Sequence, residues 1–380
     1  MHVIEQKIDA ALASALRAGA VTPEQEWQNL ADVGRAQHRA HYHGVSGLLV
    51  GLPGWPAKFA SAIRTEALGR AMWEMRHRQL LAQVLDALAD NELRALLIKG
   101  TAFAYDLYDE PAHRIRGDSD LWVCDADLGC VRQVFQELGF RMAGTSEQVS
   151  TQPLQEVWLG QTPDGSEHVI DLHWSAVNSA ALQGLFSFDE CWARRQPLPR
   201  LARGAWCLDH PDALLHSAVH REMHAVSPYI VGNTTHYGGD RLVWIWDIHQ
   251  LTLALGNGGL REAADRASVA GLRAPLRNAL LAAKGLLGTP VQDNLLDELG
   301  QAKITAASRY LEGGQVKRAW LDLKEVRPFS RKLATISHRI FPSAAFLGLK
   351  YGRSRSGEVP MLYLRRLIDF VRRRPKQSQS

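Results

Sequence analysis

The chain has 380 residues, 46% of them hydrophobic and 22% charged. That balance is ordinary for a folded protein and excludes a disordered chain, a collagen or a coiled-coil rod. At roughly 100–200 residues per domain, the length implies two or three domains or one core with large helical additions. The net charge of +4 hides a split: residues 311–380 carry 16 Lys+Arg against 5 Asp+Glu, a net of +11, and the other 310 residues carry 28 against 35, a net of −7. A basic tail on a mildly acidic body points to an anionic partner for the tail, such as nucleotide phosphates, nucleic acid, an acidic peptide or a membrane surface. None of the four cysteines sits in a C-x-x-C pair, so neither a disulfide framework nor a thiolate zinc site is expected. Residues 1–7 lack the basic-then-apolar pattern of a signal peptide, and no apolar run reaches ~18 residues, so a cytoplasmic protein is expected.

Residues 1–90 read as helices. Leu80, Leu81, Val84, Leu85 and Leu88 have helical spacing, and Thr22 before Pro23 is an expected helix start. The pattern then changes. The apolar run 95–98 reads as a strand ending at Lys99, Gly100 and Thr101, with Thr101 capping a short helix that Pro111 closes. Residues 120–124 read as a second strand, after which Asp125 is expected to cap a helix bearing Leu128, Val131, Val134, Phe135 and Leu138. Residues 157–159 and 168–174 read as a hairpin around Pro163, Asp164 and Gly165. From 211 the chain turns helical again, over 213–223, 242–255 and 272–287. The expected organisation is an N-terminal helical region (1–90), a core (91–205) and a C-terminal helical domain with the basic tail (206–380).

The chemistry concentrates between 99 and 174. Side chains two apart on a strand share a face, so Asp118 and Asp120 point the same way and can bridge divalent cations. Hard oxygen donors with open positions suit Mg²⁺ or Mn²⁺. Asp171, alternating with Ile170 and Leu172, offers a third carboxylate, and His173 shares its face. Upstream, Gly100 and Thr101 at a helix start provide free N–H groups, close approach and a hydroxyl, as a phosphate cradle needs. Lys99 and Arg114 add positive charge for a triphosphate.

These residues give the chain its resemblance to the nucleotidyltransferase superfamily that includes DNA polymerase beta and the kanamycin nucleotidyltransferases. More narrowly, it resembles the bacterial uncharacterised nucleotidyltransferase family. Lys99-Gly100, Arg114, Asp118-Ser119-Asp120-Leu121 and Asp171-Leu172-His173-Trp174 carry that likeness, supported by His216, His220 and the later Trp244-Ile245-Trp246-Asp247-Ile248. Phe341-Pro342-Ser343 and Tyr351 also match. Ser119 departs from the apolar residue usual between the two aspartates, Thr101 from the usual Ser or Gly, and the gap from Gly100 to Asp118 is long. The resemblance implies an α+β fold: a small mixed β-sheet nucleotidyltransferase core with helices on one face, flanked by N-terminal helices and a large C-terminal helical region. It implies a Mg²⁺-dependent (or Mn²⁺-dependent) enzyme that moves a nucleotidyl group from an NTP, with ATP the expected donor, to a small-molecule, sugar or peptide acceptor, releasing pyrophosphate. Asp118 and Asp120 would hold the metals. Asp171 would join them and serve the acceptor side, with Gly100 and Thr101 cradling phosphates and Lys99 and Arg114 offsetting their charge. His173 is expected to orient Asp171 or touch a phosphate. The resemblance is compatible with tailoring of a peptide, sugar or phosphorylated natural product, a modified peptide among them, and the basic tail fits an anionic acceptor.

Other features have plainer readings. Asp125 and Asp127 form a second acidic-x-acidic pair, read as a helix start. His216, His220 and His224 repeat at i, i+4 and i+8; a partly buried polar stripe beside the active site is expected over a zinc site, with His220 nearest a substrate. Trp158 and Trp192 are candidates to stack on a base, with core packing the expected role. The basic amphipathic segment 359–374 is expected to dock on the body rather than lie on a membrane. Two alternatives remain. One is a glycosyl or phosphoryl transferase using the same carboxylates, and the other is a non-catalytic nucleic-acid-binding or toxin–antitoxin component, in which binding would survive loss of Asp118.

Overall fold

The structure is a computed structural model that describes residues 2–21, 33–143, 154–225, 228–231, 234–237, 239–301 and 303–326, with single residues 329, 330, 332, 333 and 361. The expected cap at Thr22 and Pro23, the motifs at Phe341 and Tyr351, and the segment 359–374 apart from residue 361 lie outside the described residues, as does nearly all of the basic tail.

Four helices come first: α1 (His2–Ala18), α2 (Val33–His43), α3 (Ser46–Leu49) and the 34-residue α4 (Ala57–Asp90). The apolar run at 95–98 forms strand β1 (Ala95–Ile98), fully buried as an unbroken hydrophobic run should be. Helix α5 (Lys99–Asp106) follows without a loop. Because α5 already starts at Lys99, Thr101 is not its cap, and no side chain caps it. Pro111 opens a short 3-10 turn (Pro111–His113) rather than closing α5. Strand β2 (Asp118–Val123) comes next. Asp125 and Asp127 form a 3-10 turn, without a side-chain cap, before helix α6 (Leu128–Glu137). Strand β3 (Arg141–Met142) and the expected hairpin, β4 (Gln155–Gln161) and β5 (Glu167–His173), complete one side of the sheet. Helix α7 (Phe188–Arg194) and two short strands, β6 (Gln196–Pro197) and β7 (Trp206–Cys207), follow.

The strand order is β3-β4-β5-β2-β1-β7-β6. β2 runs parallel to β5 and antiparallel to β1, so the sheet is mixed. The parallel register sets Asp120 opposite Asp171 and Ser119 opposite Ile170. Strand alternation therefore gives the sheet two different faces. The face of Ser119, Ile170 and Trp158 packs against α4 and α6: Phe135 meets Trp158 edge-on at 5.3 Å, and His77 reaches Ser119. The opposite face carries the aspartates.

The C-terminal part is helical, with a two-stranded ribbon of β8 (Pro228–Val231) and β9 (Thr234–Tyr237) between α8 (His210–Ala225) and α9 (Leu242–Ala270). Gly256 breaks α9 with φ 55° and ψ −168°, a conformation that favours glycine. Helices α10 (Arg273–Leu287), α11 (Asp293–Gly300), α12 (Ala306–Leu311) and α13 (Gln315–Glu325) close the described chain. One continuous hydrophobic core runs from α1 through the sheet to α12, and β7 joins the sheet just beyond the boundary expected at 205. His43 knits the halves further: its Nδ1 accepts the Leu242 N–H at the start of α9, and its Nε2 lies 2.9 Å from Asp9. Among the described residues no helix is long and apolar enough to cross a membrane, and the four cysteines are free thiols.

Candidate active site

A cleft of about 640 Å³ opens between the aspartate face of the sheet and helices α8 and α9. Its floor holds Asp118 and Asp120 from β2, Asp171 from β5, and Lys99 and Gly100 from the start of α5. The residues from Arg114 to Gly117 line its rim. The three expected carboxylates thus share one cleft, with Asp120 and Asp171 directly paired across β2 and β5 and Asp118 one strand repeat away, and β-strand alternation with the parallel register is sufficient to bring them there.

Their charge is only partly balanced. Burial pushes the Asp171 carboxyl up, and the negative neighbours Asp120 and Asp118 push it further, to about 7. Burial and Asp120 also raise Asp118. Asp120 differs: burial opposes its ionisation, yet the charges and hydrogen bonds of Lys99 and His173 outweigh that and hold its carboxyl far below the usual range. The Lys99 ammonium donates to Asp120 Oδ1 at 2.7 Å and His173 Nε2 lies 2.9 Å from the same oxygen. A carboxylate only accepts, so the His173 proton sits on Nε2, leaving Nδ1 as a buried acceptor with no partner among the described residues. Lys99 itself has φ 58°, a left-handed backbone that costs a non-glycine residue about 1–2 kcal/mol. That strain is spent where the chain turns from β1 into α5 and presents its ammonium to Asp120.

The donor chemistry fits a hard divalent cation. One ligand atom from each of Asp120, Asp171 and His173 lies within 4.8 Å of the others, and a cation, the Lys99 ammonium, already occupies one oxygen of the set. The carboxylates are the oxygen donors such an ion takes. His173 acts on Asp120, not on Asp171 as expected.

Two other expected residues stand differently from their sequence reading. Thr101 is fully buried behind the site: its hydroxyl lies 2.7 Å from Ser119 Oγ and accepts from Arg116 Nε at 2.9 Å. Only its backbone N–H, in the first turn of α5, remains for a phosphate. Arg114 lies beneath Gly100, where an added Cβ would come within 3.4 Å of its guanidinium. Its fork is spent on Asp247 of α9, with Nε to Oδ1 at 2.9 Å and Nη2 to Oδ2 at 2.7 Å, while Nη1 donates to the Ile115 carbonyl. Tyr108 donates to the same carboxylate at 2.7 Å. The expected charge compensation from Arg114 is thus largely consumed within the protein.

Sequence reasoning missed the network behind β2. His77 on α4 lies 2.6 Å from Ser119 Oγ and, through Nδ1, 3.1 Å from His168 Nδ1. Arg116 joins Thr101 to Glu74 at 2.8 Å, and Tyr105 donates to Glu74 at 2.5 Å. Trp73 stacks on His77 at 4.4 Å. Arg70, one turn before Glu74, reaches the cleft rim, its Nη1 near the Arg116 carbonyl. The signal was present: Arg70, Glu74 and His77 are polar residues at i, i+4 and i+7 on the sheet-facing side of α4. Trp158 is buried in the core and Trp192 packs with Arg195 and Trp206, so neither lines the cleft.

A strand-to-helix turn beside a three-carboxylate sheet face is the layout of a nucleotidyltransferase core. The family described as uncharacterised nucleotidyltransferase matches residues 23–288, more than half of the chain, and the chain belongs to that family. The crystal structure of an antigenic nucleotidyltransferase-like protein from Paracoccidioides brasiliensis is similar over 61% of this chain and 96% of its own, at 12% identity and a TM-score of 0.36. No curated protein matches the chain.

Proposed function

We propose that the protein transfers a nucleotidyl group from an NTP, ATP being the expected donor, to a hydroxyl or phosphate of a small-molecule, sugar or peptide acceptor, with release of pyrophosphate. The observation that carries this reading is the convergence of Asp118, Asp120 and Asp171 on one sheet face beside the Lys99-Gly100 turn. Asp118, Asp120 and Asp171 would hold Mg²⁺ or Mn²⁺. Such ions, when bound, neutralise charge on the phosphates and lower the pKa of an attacking oxygen. The chain's own residues do the rest. The backbone N–H groups of Gly100 and Thr101 face the β- and γ-phosphates at the start of α5, where the helix favours negative charge. Lys99 offers its ammonium to the same phosphates. Arg114, neutralised by Asp247, packs beneath Gly100. His173 fixes the orientation of Asp120 by donating to Oδ1. Asp171, at the β5 edge of the cleft near Gln155 and Asn178, serves the acceptor side.

The test is incubation of the full chain with each NTP, Mg²⁺ and candidate acceptors, followed by intact-mass analysis. A gain of one nucleotide on the acceptor with pyrophosphate in solution is the expected result. Release of a nucleoside diphosphate from a sugar nucleotide instead would assign the cleft to glycosyl transfer.

A further inference from the structure

The wall of the cleft facing the carboxylates has a chemistry of its own. His220, His224, Val219 and Met223 from α8 and Trp244 from α9 line it. His220 stands edge-on to Trp244, with ring centroids 5.3 Å apart at 88°, and 4.5 Å from the ring of His224. His216, one turn earlier, is tied to the Ala176 carbonyl at 2.8 Å. His220 is not tied: its ring nitrogens have no hydrogen-bond partner among the described residues. A largely enclosed imidazole that faces a cavity with its hydrogen bonds unmade is costly unless a ligand or water completes them.

We propose that His220, backed by Trp244 and flanked by Val219 and Met223, receives the base of the nucleotide whose phosphates lie over the carboxylates. The inference rests on the nucleotidyl-transfer reading above and deepens it. The cleft divides by charge as a nucleotide does. Lys99 and Arg70 line its charged part, while the α8–α9 wall around His220 is imidazole, aromatic and thioether, with Arg241, just before α9, the cation beside Trp244. Burial keeps His220 and His224 neutral, and the nearby Lys99 ammonium reinforces this. A neutral imidazole gives one donor and one acceptor, the complement of a base edge, and gains nothing from an anionic group. Met223, Val219 and the indole offer the apolar, polarisable surface that a flat heterocycle packs against. A phosphorylated or acidic acceptor would find no cation on His220.

Equilibrium binding to the full chain in Mg²⁺ separates the possibilities. The probes are ATP, GTP, CTP and UTP against inorganic tripolyphosphate, which shares the charge and lacks the base. Wild type is expected to bind at least one NTP ten-fold or more tightly than tripolyphosphate. His220→Ala is expected to erase most of that difference without changing tripolyphosphate affinity, and His220→Gln, which keeps a donor and an acceptor, to restore part of it. Unchanged circular dichroism and melting temperature in both variants establish that the fold is intact. Equal wild-type affinity for NTPs and tripolyphosphate overturns the assignment while leaving the function standing. So does a His220→Ala variant that binds every NTP normally but loses affinity for an acceptor. If neither NTP nor tripolyphosphate binds, the function falls and the base site with it.

Discussion

The two faces of strand β2 make opposite use of polar residues. In front, Asp118 and Asp120 stand with Asp171 in an open cleft, their charge incompletely balanced. Behind, Ser119 belongs to a sealed network in which His77, Thr101, Arg116, Glu74 and Tyr105 bond to one another. The front is a place where an external cation would lower the energy. The back is a place where the protein supplies its own partners, and where removing one leaves another stranded. Chemistry and positioning are therefore one residue apart in sequence and separated by the thickness of a strand.

If this division is right, front substitutions will strike activity and spare the fold. Asp118→Asn or Asp120→Asn should cost transfer roughly 10³-fold or more, the equivalent of several kcal/mol of charge stabilisation, with a melting temperature near wild type for Asp118→Asn, whose carboxylate lacks, among the described residues, the ion pair that Asp120 makes with Lys99. Retention of full activity in either variant would remove the carboxylates from the mechanism. Back substitutions should do the reverse. Glu74→Ala strands the Arg116 guanidinium and should destabilise by about 3–5 kcal/mol, measured by urea unfolding; a loss under 1 kcal/mol would show that the network is slack.

The cleft wall adds a pH test. Burial first, with Lys99 assisting, brings His216 and His224 to about 4, below the ordinary histidine value of 6.5. A folded pKa below the unfolded one means the stabilisation is complete above pH 6.5 and is lost as pH falls toward 4. Unfolding free energy should drop over that window by up to a few kcal/mol, and His216→Gln should flatten the drop. A profile identical to wild type would argue against the buried, neutral ring.

Smaller effects refine the boundary between the faces. Ser119→Ala leaves His77 Nε2 without its partner and should cost about 1–2 kcal/mol of stability, read by thermal melting, with only a minor change in transfer. Lys99→Met frees Asp120 of its resident cation. Titration with Mn²⁺ in the absence of nucleotide should then show binding about ten-fold tighter, as expected from one charge-assisted contact of roughly 1.5–3 kcal/mol, whereas NTP binding weakens. Weaker Mn²⁺ binding in that variant would mean the ammonium supports the metal site rather than competing for it.

Much of this was legible in the chain. The period-2 placement of Asp118 and Asp120, the alternation around Asp171 and the helical spacing of Leu80 to Leu88 are local patterns, and local patterns survive in a single sequence. The partners of the second layer are not local. Ser119 meets His77 from 42 residues away, and Arg114 meets Asp247 from 133 away. In sequence alone, therefore, Arg114 has the look of a free phosphate-binding cation and Thr101 of a hydroxyl at a helix cap. The short strand β7 was missed for a related reason: two residues, Trp206 and Cys207, carry no periodicity, and only pairing with Leu97 makes them a strand.

The fork between Arg114 and Asp247 has a bearing on how this enzyme can be taken apart. The guanidinium under the Gly100 turn comes from the segment leading into β2, and the carboxylate that neutralises it belongs to a helix far along the chain. An excised sheet would carry a buried, uncompensated charge directly beneath the Gly100 turn. Modular transplantation of the strands alone should therefore fail unless an acid able to reach that arginine is carried with them.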